Sequence, residues 1–404
     1  MTLTSRGTDP RIEQARRAVS LVFALNGLAF ASWAARSPAI RDELGLTSAG
    51  FGLLLLCFSI GSLTGLPLSG LVVGRFGPAR STVGGSLLAA VGLVVAAFSI
   101  SAGSVAGTAP GLVLIGLGIS AWDVAMNVEG ADIERRLGRS LMPRLHAGFS
   151  LGTVVGAGLG ALAAAGGVPV SAQLHVTAVV AFALVLVAVR WFVPPESGIE
   201  ESTGDGTRSV LRAWLEPRTL LLGVMVLAFA LSEGIANDWV AIAVVDGYAG
   251  SEALGAATFG AFVAAMTLAR VTGGSLLTRW GRTPVLRASA GVATVGAFLL
   301  VLDVGIPVAI AGAVLWGLGS ALGFPVGMSA AADDPRAAAG RVAVVSSIGY
   351  TAFLAGPPLI GFLADATTIL QALLVVPVAL LVGFAVAGVA RPEQPDAVAL
   401  DAPT

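Results

Sequence analysis

Residues 116–130 read GLGISAWDVAMNVEG and set Asp123, Asn127 and Glu129 in a segment otherwise apolar enough to lie in lipid. An aspartate at the centre of a membrane helix costs about 2.5–3.5 kcal/mol to insert, so such a residue faces a bundle interior or a watery cavity and marks a solute or proton path. Gly116, Ser120, Asp123 and Asn127 recur at three-and-four spacing and form one small, polar stripe. That stripe reads as one wall of a transport cavity; the alternative is polar glue between packed helices. A second group follows with Glu233, Asn237 and Asp238. Glu233 lies about 22 Å along its helix from Arg218 and shares a face with Asn237, so it reads as a second acid opposite Asp123. The alternative is a carboxylate capping the outer end of a broken helix. Asp238 lies closer to the outer interface. Arg270 interrupts an apolar run about 13 Å from Arg279, too deep for full rescue by snorkelling, and needs Glu233 or Asp123 as a partner.

Trp33, Trp122, Trp239 and Trp316 offer aromatic faces for stacking on a ring-shaped solute, with Trp239 the expected interfacial anchor. Glu129 and Asp132 face away from the stripe, where pairing with Arg135 or with the loop around Arg75 is the expected role. His146 reads as a solvated histidine. Cys57 is the one cysteine and His146 and His175 are the two histidines, which leaves no disulfide framework, no metal-ligand cluster and no cofactor site. No catalytic constellation stands out, and an enzyme is not expected.

The elements that must position these groups are membrane helices. Of 404 residues, 56% are hydrophobic and 12% charged, and the mean hydropathy is +0.89, far from a soluble average. The run after Ala18 is long enough to span rather than to serve as a cleaved leader. Twelve apolar stretches follow one another at about 18–36, 50–74, 81–102, 109–131, 143–166, 171–193, 218–241, 254–279, 284–303, 306–330, 340–364 and 367–390. All 23 basic residues are arginine, and they alternate along the chain. Arg6, Arg11, Arg16 and Arg17 precede span one; Arg75 and Arg80 follow span two; Arg135, Arg136, Arg139 and Arg144 follow span four. Further clusters follow spans six, eight and ten, ending with Arg336 and Arg341. The opposite loops hold only Arg36 and Arg41, with Asp42, Glu43, Asp246, Glu252, Asp303 and Asp365. By the positive-inside rule both termini are cytoplasmic.

Residues 194–217 carry proline, glycine, serine and charge and read as a cytoplasmic linker between a half at 1–193 and a half at 218–404. The halves repeat: IGLGIS at 115–120 answers WGLGSA at 316–321, GRFG at 74–77 answers TRWG at 278–281, and GAGLG at 156–160 answers GPPLIG at 356–361. A constant offset argues for duplication, the arrangement in which secondary transporters place a midplane site. The glycine and proline runs, among them Gly152, Gly156 and Gly160, suit close helix approach and bending.

With these features the chain resembles the major facilitator superfamily from span one through span twelve. The superfamily's loop motif after span two is matched by Gly70, Arg75, Gly77 and Arg80, with Gly74 where the motif has an acid. Its second copy is matched by Gly274, Arg279, Gly281 and Arg282, with Thr278 in that place. In the family this loop is thought to latch the inward-closed state, so these residues are the expected gating loops, without their aspartate. Asp123 followed by Asn127 is similar to the proton-coupled fucose-permease branch, where the acid takes part in coupling. That branch's aspartate on span one has no counterpart, since Asn26, Trp33 and Arg36 are the residues there. EGIANDW at 233–239, GLGSALGFP at 317–325 and GYTAFLAGPPLIGFLAD at 349–365 look like a bacterial subgroup of this branch. Drug–proton antiporters carry an arginine early in span four and Gly-Pro within span five; both are missing.

The sequence therefore predicts an all-α membrane protein of twelve helices in two pseudo-symmetric halves, resident in the cytoplasmic membrane and working as a monomer. The resemblance implies alternating access with proton coupling at Asp123 and Glu233. The expected solute contacts are Asn26, Trp33, Arg36, Ser120, Asn127, Asn237, Asp238, Arg270 and Trp316. The expected partners are a small solute, protons and the bilayer, with no nucleic acid. Symport of a small polar or sugar-like solute is the leading expectation; proton-coupled export of a drug or amphipathic metabolite is the alternative. A receptor role would call for an added soluble domain.

Overall fold

The computed structural model describes residues 10–138, 141–193, 206–334 and 337–392. The first half contains α1 (Pro10–Ala34), the short α2 (Ser37–Glu43), α3 (Ser48–Ser101), α4 (Val105–Leu137), α5 (Met142–Ala165) and α6 (Val170–Ala188). A connecting helix, α7 (Gly206–Ala213), leads to α8 (Pro217–Tyr248), α9 (Glu252–Trp280), α10 (Arg282–Val301), α11 (Ile306–Ser320), α12 (Gly323–Ala331), α13 (Ala338–Ala366), α14 (Ile369–Ala372) and α15 (Val375–Val386). Among the described residues eleven helices are long and apolar enough to cross a membrane. One of them, the 54-residue α3, breaks at Gly77 into two crossings, so the chain has the twelve expected spans. Residues 194–205 of the linker, Arg6, Arg139 and Arg336 lie outside the described residues.

The break has a backbone cause. Gly77 sits at φ 78°, ψ 166°, and Gly281, between α9 and α10, repeats it at φ 78°, ψ 170°. A residue with a Cβ rarely adopts that conformation, although the space around both glycines is open. The caps repeat as well: Thr47 accepts from the Gly50 amide at the start of α3, and Ser251 from the Leu254 amide at the start of α9. Both pairs stand a little over two hundred residues apart, which is the duplicated register seen in the sequence.

Two elements depart from the expected spans. Helix α8 continues unbroken to Tyr248, so Glu233 caps no helix end, and Asp238 lies about 15 Å short of the end rather than near the interface. Span ten is split between α11 and α12 at Ala321 and Leu322. Pro325 explains the split, because it lacks the N–H that would bond to the Ala321 carbonyl four residues earlier.

Within each half α3 packs on α4, α1 on α5, α10 on α11, and α8 on α13 and α15; between the halves α5 meets α9 and α3 meets α13. The α3–α13 seam is backbone against backbone. A Cβ on Gly52 would strike the Pro357 carbonyl, and one on Gly361 the Ser48 carbonyl. Gly152, Gly156 and Gly160 face Ala24, Leu28 and Ala35 of the α1 segment instead, so they join helices within a half rather than the two halves.

Candidate transport cavity

Between the halves lies a cavity of about 280 Å³, within reach of the volumes that hold small ligands. Phe30, Phe58, Ser59, Ser62, Phe149 and Thr153 line it from the first half; Glu233, Asn237, Asp238, Arg270, Tyr350 and Phe353 line it from the second. The first-half wall is largely apolar and carries no charge, whereas α8 and α9 bring all the charged groups of the lining.

Arg270 donates from Nη2 to Glu233 Oε1 at 2.8 Å, which settles the expected choice of partner in favour of Glu233 over Asp123. Its Nε points at the Ala321 carbonyl at 3.5 Å, the carbonyl that Pro325 leaves free. A second proline acts alike: Pro357 in α13 has no N–H for the Phe353 carbonyl, and the Ser59 hydroxyl of α3 donates to it at 2.7 Å. Among the described residues no hydrogen bond or ion pair holds the Asp238 carboxylate, which faces the cavity beside Asn237.

The α4 stripe is placed differently from the sequence expectation. Gly116 lies against the backbone of Phe58 and Ser62, and Ser120 shares a 2.7 Å hydrogen bond with Ser62. These two residues are the α3–α4 packing seam, not a cavity wall. Asp123, one turn beyond the cavity-lining Ile119, is half-buried and does not itself line the cavity. The Asn127 amide turns back to the Asp123 main-chain carbonyl at 2.8 Å.

Other expected solute contacts are structural. Asn26 is fully buried, donating to the Ile119 carbonyl at 3.3 Å. Trp33 is buried in the apolar core. Trp316 is buried too, its indole N–H donating to Ser232 Oγ at 2.8 Å and its ring meeting Phe262 edge-on. Trp239 is no interfacial anchor: it is fully buried and makes an edge contact with Phe51 of the other half at 6.1 Å. Glu129 is fully buried and accepts from the Val193 amide at 2.9 Å rather than from Arg135; Asp132 does pair with Arg135 and Arg136. His146 is exposed at the arginine-rich end, its ring 5.4 Å from Phe23.

Arg36 and Arg41 close the arginine-poor end. Arg36 donates to Gln173 Oε1 at 2.8 Å and to the Val168 carbonyl, and reaches Glu252 of the second half at 3.4 Å. Arg41 grips Asp246 with both terminal nitrogens and Asp42 at 2.7 Å. The Asp246 hydrogen bond, followed by that of Asp42, raises the Arg41 guanidinium above its ordinary value despite burial. Asp365 of α13 accepts from the Ser48 and Ala49 amides at 2.9 and 3.2 Å, so one half caps a helix of the other. The sequence holds all these residues but no signal of their pairing. Apart from the neighbours Arg41 and Asp42, every bond joins positions far apart along the chain.

At the arginine-rich end the described ion pairs stay within one half: Asp132 as above, Asp333 with Arg282 at 2.7 Å and Arg218 at 3.2 Å, and Glu216 with Arg341 at 2.7 Å. Of the expected gating loops, Arg75 rests on Phe76 and Arg279 on Trp280, each at 5.6 Å, and Arg80 is exposed. Arg282 also donates to Ser329 at 2.9 Å. In the second half, then, Asp333 provides a carboxylate that the loop motif itself lacks.

A twelve-span bundle of two related halves, sealed at one end around a charged cavity, defines a membrane transporter. The family model described as Major Facilitator Superfamily matches residues 19–249, and the chain belongs to that superfamily. It is 34% identical over 359 residues to an uncharacterized transporter of Sinorhizobium fredii, covering 87% of this chain and 92% of that one. It is 25% identical over 368 residues to the membrane protein MosC of Rhizobium meliloti, covering 91% and 88%. Among solved structures, a single-residue mutant of the nucleoside transporter NupG aligns with a TM-score of 0.78 at 14% identity over 93% of this chain and 99% of that one. FucP in its outward conformation aligns at 0.64 and 17% over 94% and 99%. These structural likenesses are of fold.

Proposed function

We propose that this chain is a proton-coupled secondary transporter that moves a small polar or sugar-like solute by alternating access, with Asp123 as the coupling group. The observation that carries the reading is Asp123 itself: a half-buried carboxylate one turn beyond the cavity-lining Ile119, with no arginine paired to it among the described residues. A carboxylate so placed can take and release a proton as the cavity changes its exposure, while the Arg270–Glu233 pair keeps its charges matched. The arginine bias supports a cytoplasmic arginine-rich end and cytoplasmic termini in the inner membrane. On that orientation the sealed end is external and the conformation faces inward. Closure then rests on Arg36, Arg41 and Asp365, and the loop residues Arg75, Arg80, Arg279 and Arg282 act in the opposite closure. The charge-free wall of Phe30, Phe58 and Phe149 favours one second reading, export of an amphipathic metabolite or drug in exchange for protons.

The test is Asp123→Asn in sealed vesicles whose orientation is read by impermeant labelling of a cysteine at Asp303 in a Cys57→Ala background. The amide keeps shape and hydrogen bonding but cannot titrate. We expect normal expression, retained binding and no accumulation driven by a pH gradient. Undiminished pH-driven accumulation would remove Asp123 from coupling, and failure of external reagent to reach position 303 in intact cells would invert the orientation.

A further inference from the structure

We infer that the cavity selects an organic ammonium: a compact, ring-bearing amine whose charged nitrogen docks on Asp238 and whose ring lies between two aromatic pairs. The inference rests on this cavity being the transport site. Three observations converge on it. First, the cavity lining holds two carboxylates and one cation, and the cation is already taken, since Arg270 pairs with Glu233 at 2.8 Å. Asp238 lines the same cavity without a hydrogen bond or ion pair among the described residues. An ionised carboxylate so placed is costly unless a counter-charge arrives or it takes up a proton.

Second, the neighbouring polar group suits a donor. Asn237 lines the cavity one residue away, and its amide oxygen can accept from the same nitrogen that Asp238 binds. Third, aromatic rings flank the space. Phe30 and Phe58 of the first half stand 6.1 Å apart, centre to centre, and Tyr350 and Phe353 of the second half 6.4 Å apart; all four line the cavity. Ring faces attract ammonium groups and stack on flat solutes. Within the small polar solutes proposed above, a neutral sugar-like member would leave an ionised Asp238 unmatched and an anion would meet it directly with Arg270 already engaged, so the inference narrows that class to its cationic members.

Binding at equilibrium, without any gradient, tests the assignment. Protein in lipid nanodiscs at pH 7.5 is titrated calorimetrically with 2-phenylethylamine, 2-phenylethanol and phenylacetate, which share a ring and differ in charge. We expect the amine to bind about tenfold or more tightly than the alcohol, the range of one charge-assisted hydrogen bond, and phenylacetate to bind least. Asp238→Asn should erase the preference for the amine, and Asp238→Glu should restore part of it. Equal binding of amine and alcohol, tighter binding of phenylacetate, or a preference that survives Asp238→Asn would each overturn the proposal. The wild-type comparison decides even if a variant does not fold. Absence of pH-driven accumulation by the wild-type protein in vesicles, with the amine preference intact, would sink proton coupling and leave this assignment standing.

Discussion

Arg270 shows how a charge is carried inside a membrane bundle. Its guanidinium is shared between the Glu233 carboxylate and a carbonyl that Pro325 has released, so a helix break and an ion pair stabilise each other. Removing one member of a fully buried pair typically costs 3–5 kcal/mol. Here the side chains are 31% and 17% exposed, so about 1–3 kcal/mol is the better expectation. Arg270→Ala should lower the melting temperature in detergent, Glu233→Gln added to it should restore part of the loss, and Asp123→Asn should add its own effect independently. Additive behaviour of the Arg270 and Glu233 changes would deny the pair. From sequence the need for a partner is legible, because an arginine in an apolar run demands one; which acid answers is not. The same holds for Asn26 and Trp316. Both are polar groups on expected cavity helices, yet their partners, Ile119 and Ser232, lie on neighbouring helices and turn them into the packing between spans.

At the scale of elements, the chain announces its helices by local signals. Apolar length, arginine clusters and the linker composition mark the spans, and Gly77 and Gly281 fall inside the matched loop motifs. What those signals do not carry is the rotation of each helix about its axis. The α4 stripe has the right period, yet it meets a different neighbour from the one expected, since Gly116 and Ser120 serve the α3 contact and Asp123 is half-buried outside the cavity lining. Helix α8 reads too short from sequence because Asp246 lowers the apolarity of its last turns, where the structure pairs it with Arg41 of the other half. The glycine break gives a clean prediction. Gly77→Ala meets no atom within 4 Å, so any loss is backbone strain, about 1–3 kcal/mol. Gly74→Ala, in equally open space but with helical geometry, should be neutral or mildly stabilising. Equal melting temperatures for the two variants would show that the 78° conformation at position 77 is not required.

At the scale of the molecule, two halves meet along a thin seam, and the bond from Ser59 to the Phe353 carbonyl crosses it. That carbonyl has no helical donor, because Pro357 stands where one would be. If the halves part in the proposed alternating-access cycle, hydroxyl and carbonyl lose each other while facing a cavity of small volume, and a buried polar group left unmade costs about 1–3 kcal/mol. A bound solute with N–H or O–H groups can meet this need during the passage; an empty carrier has only water to hold there. On the alternating-access reading proposed above, the loaded carrier is expected to reorient more easily than the empty one, and solute-for-solute exchange across the membrane should outrun net flux. Counterflow measured beside net efflux checks this, with Ser59→Ala expected to bring the two rates closer together. An unchanged ratio would mean that this bond takes no part in turnover. On this reading a single proline, by withholding one hydrogen, would bias the carrier toward swapping its cargo over running home vacant.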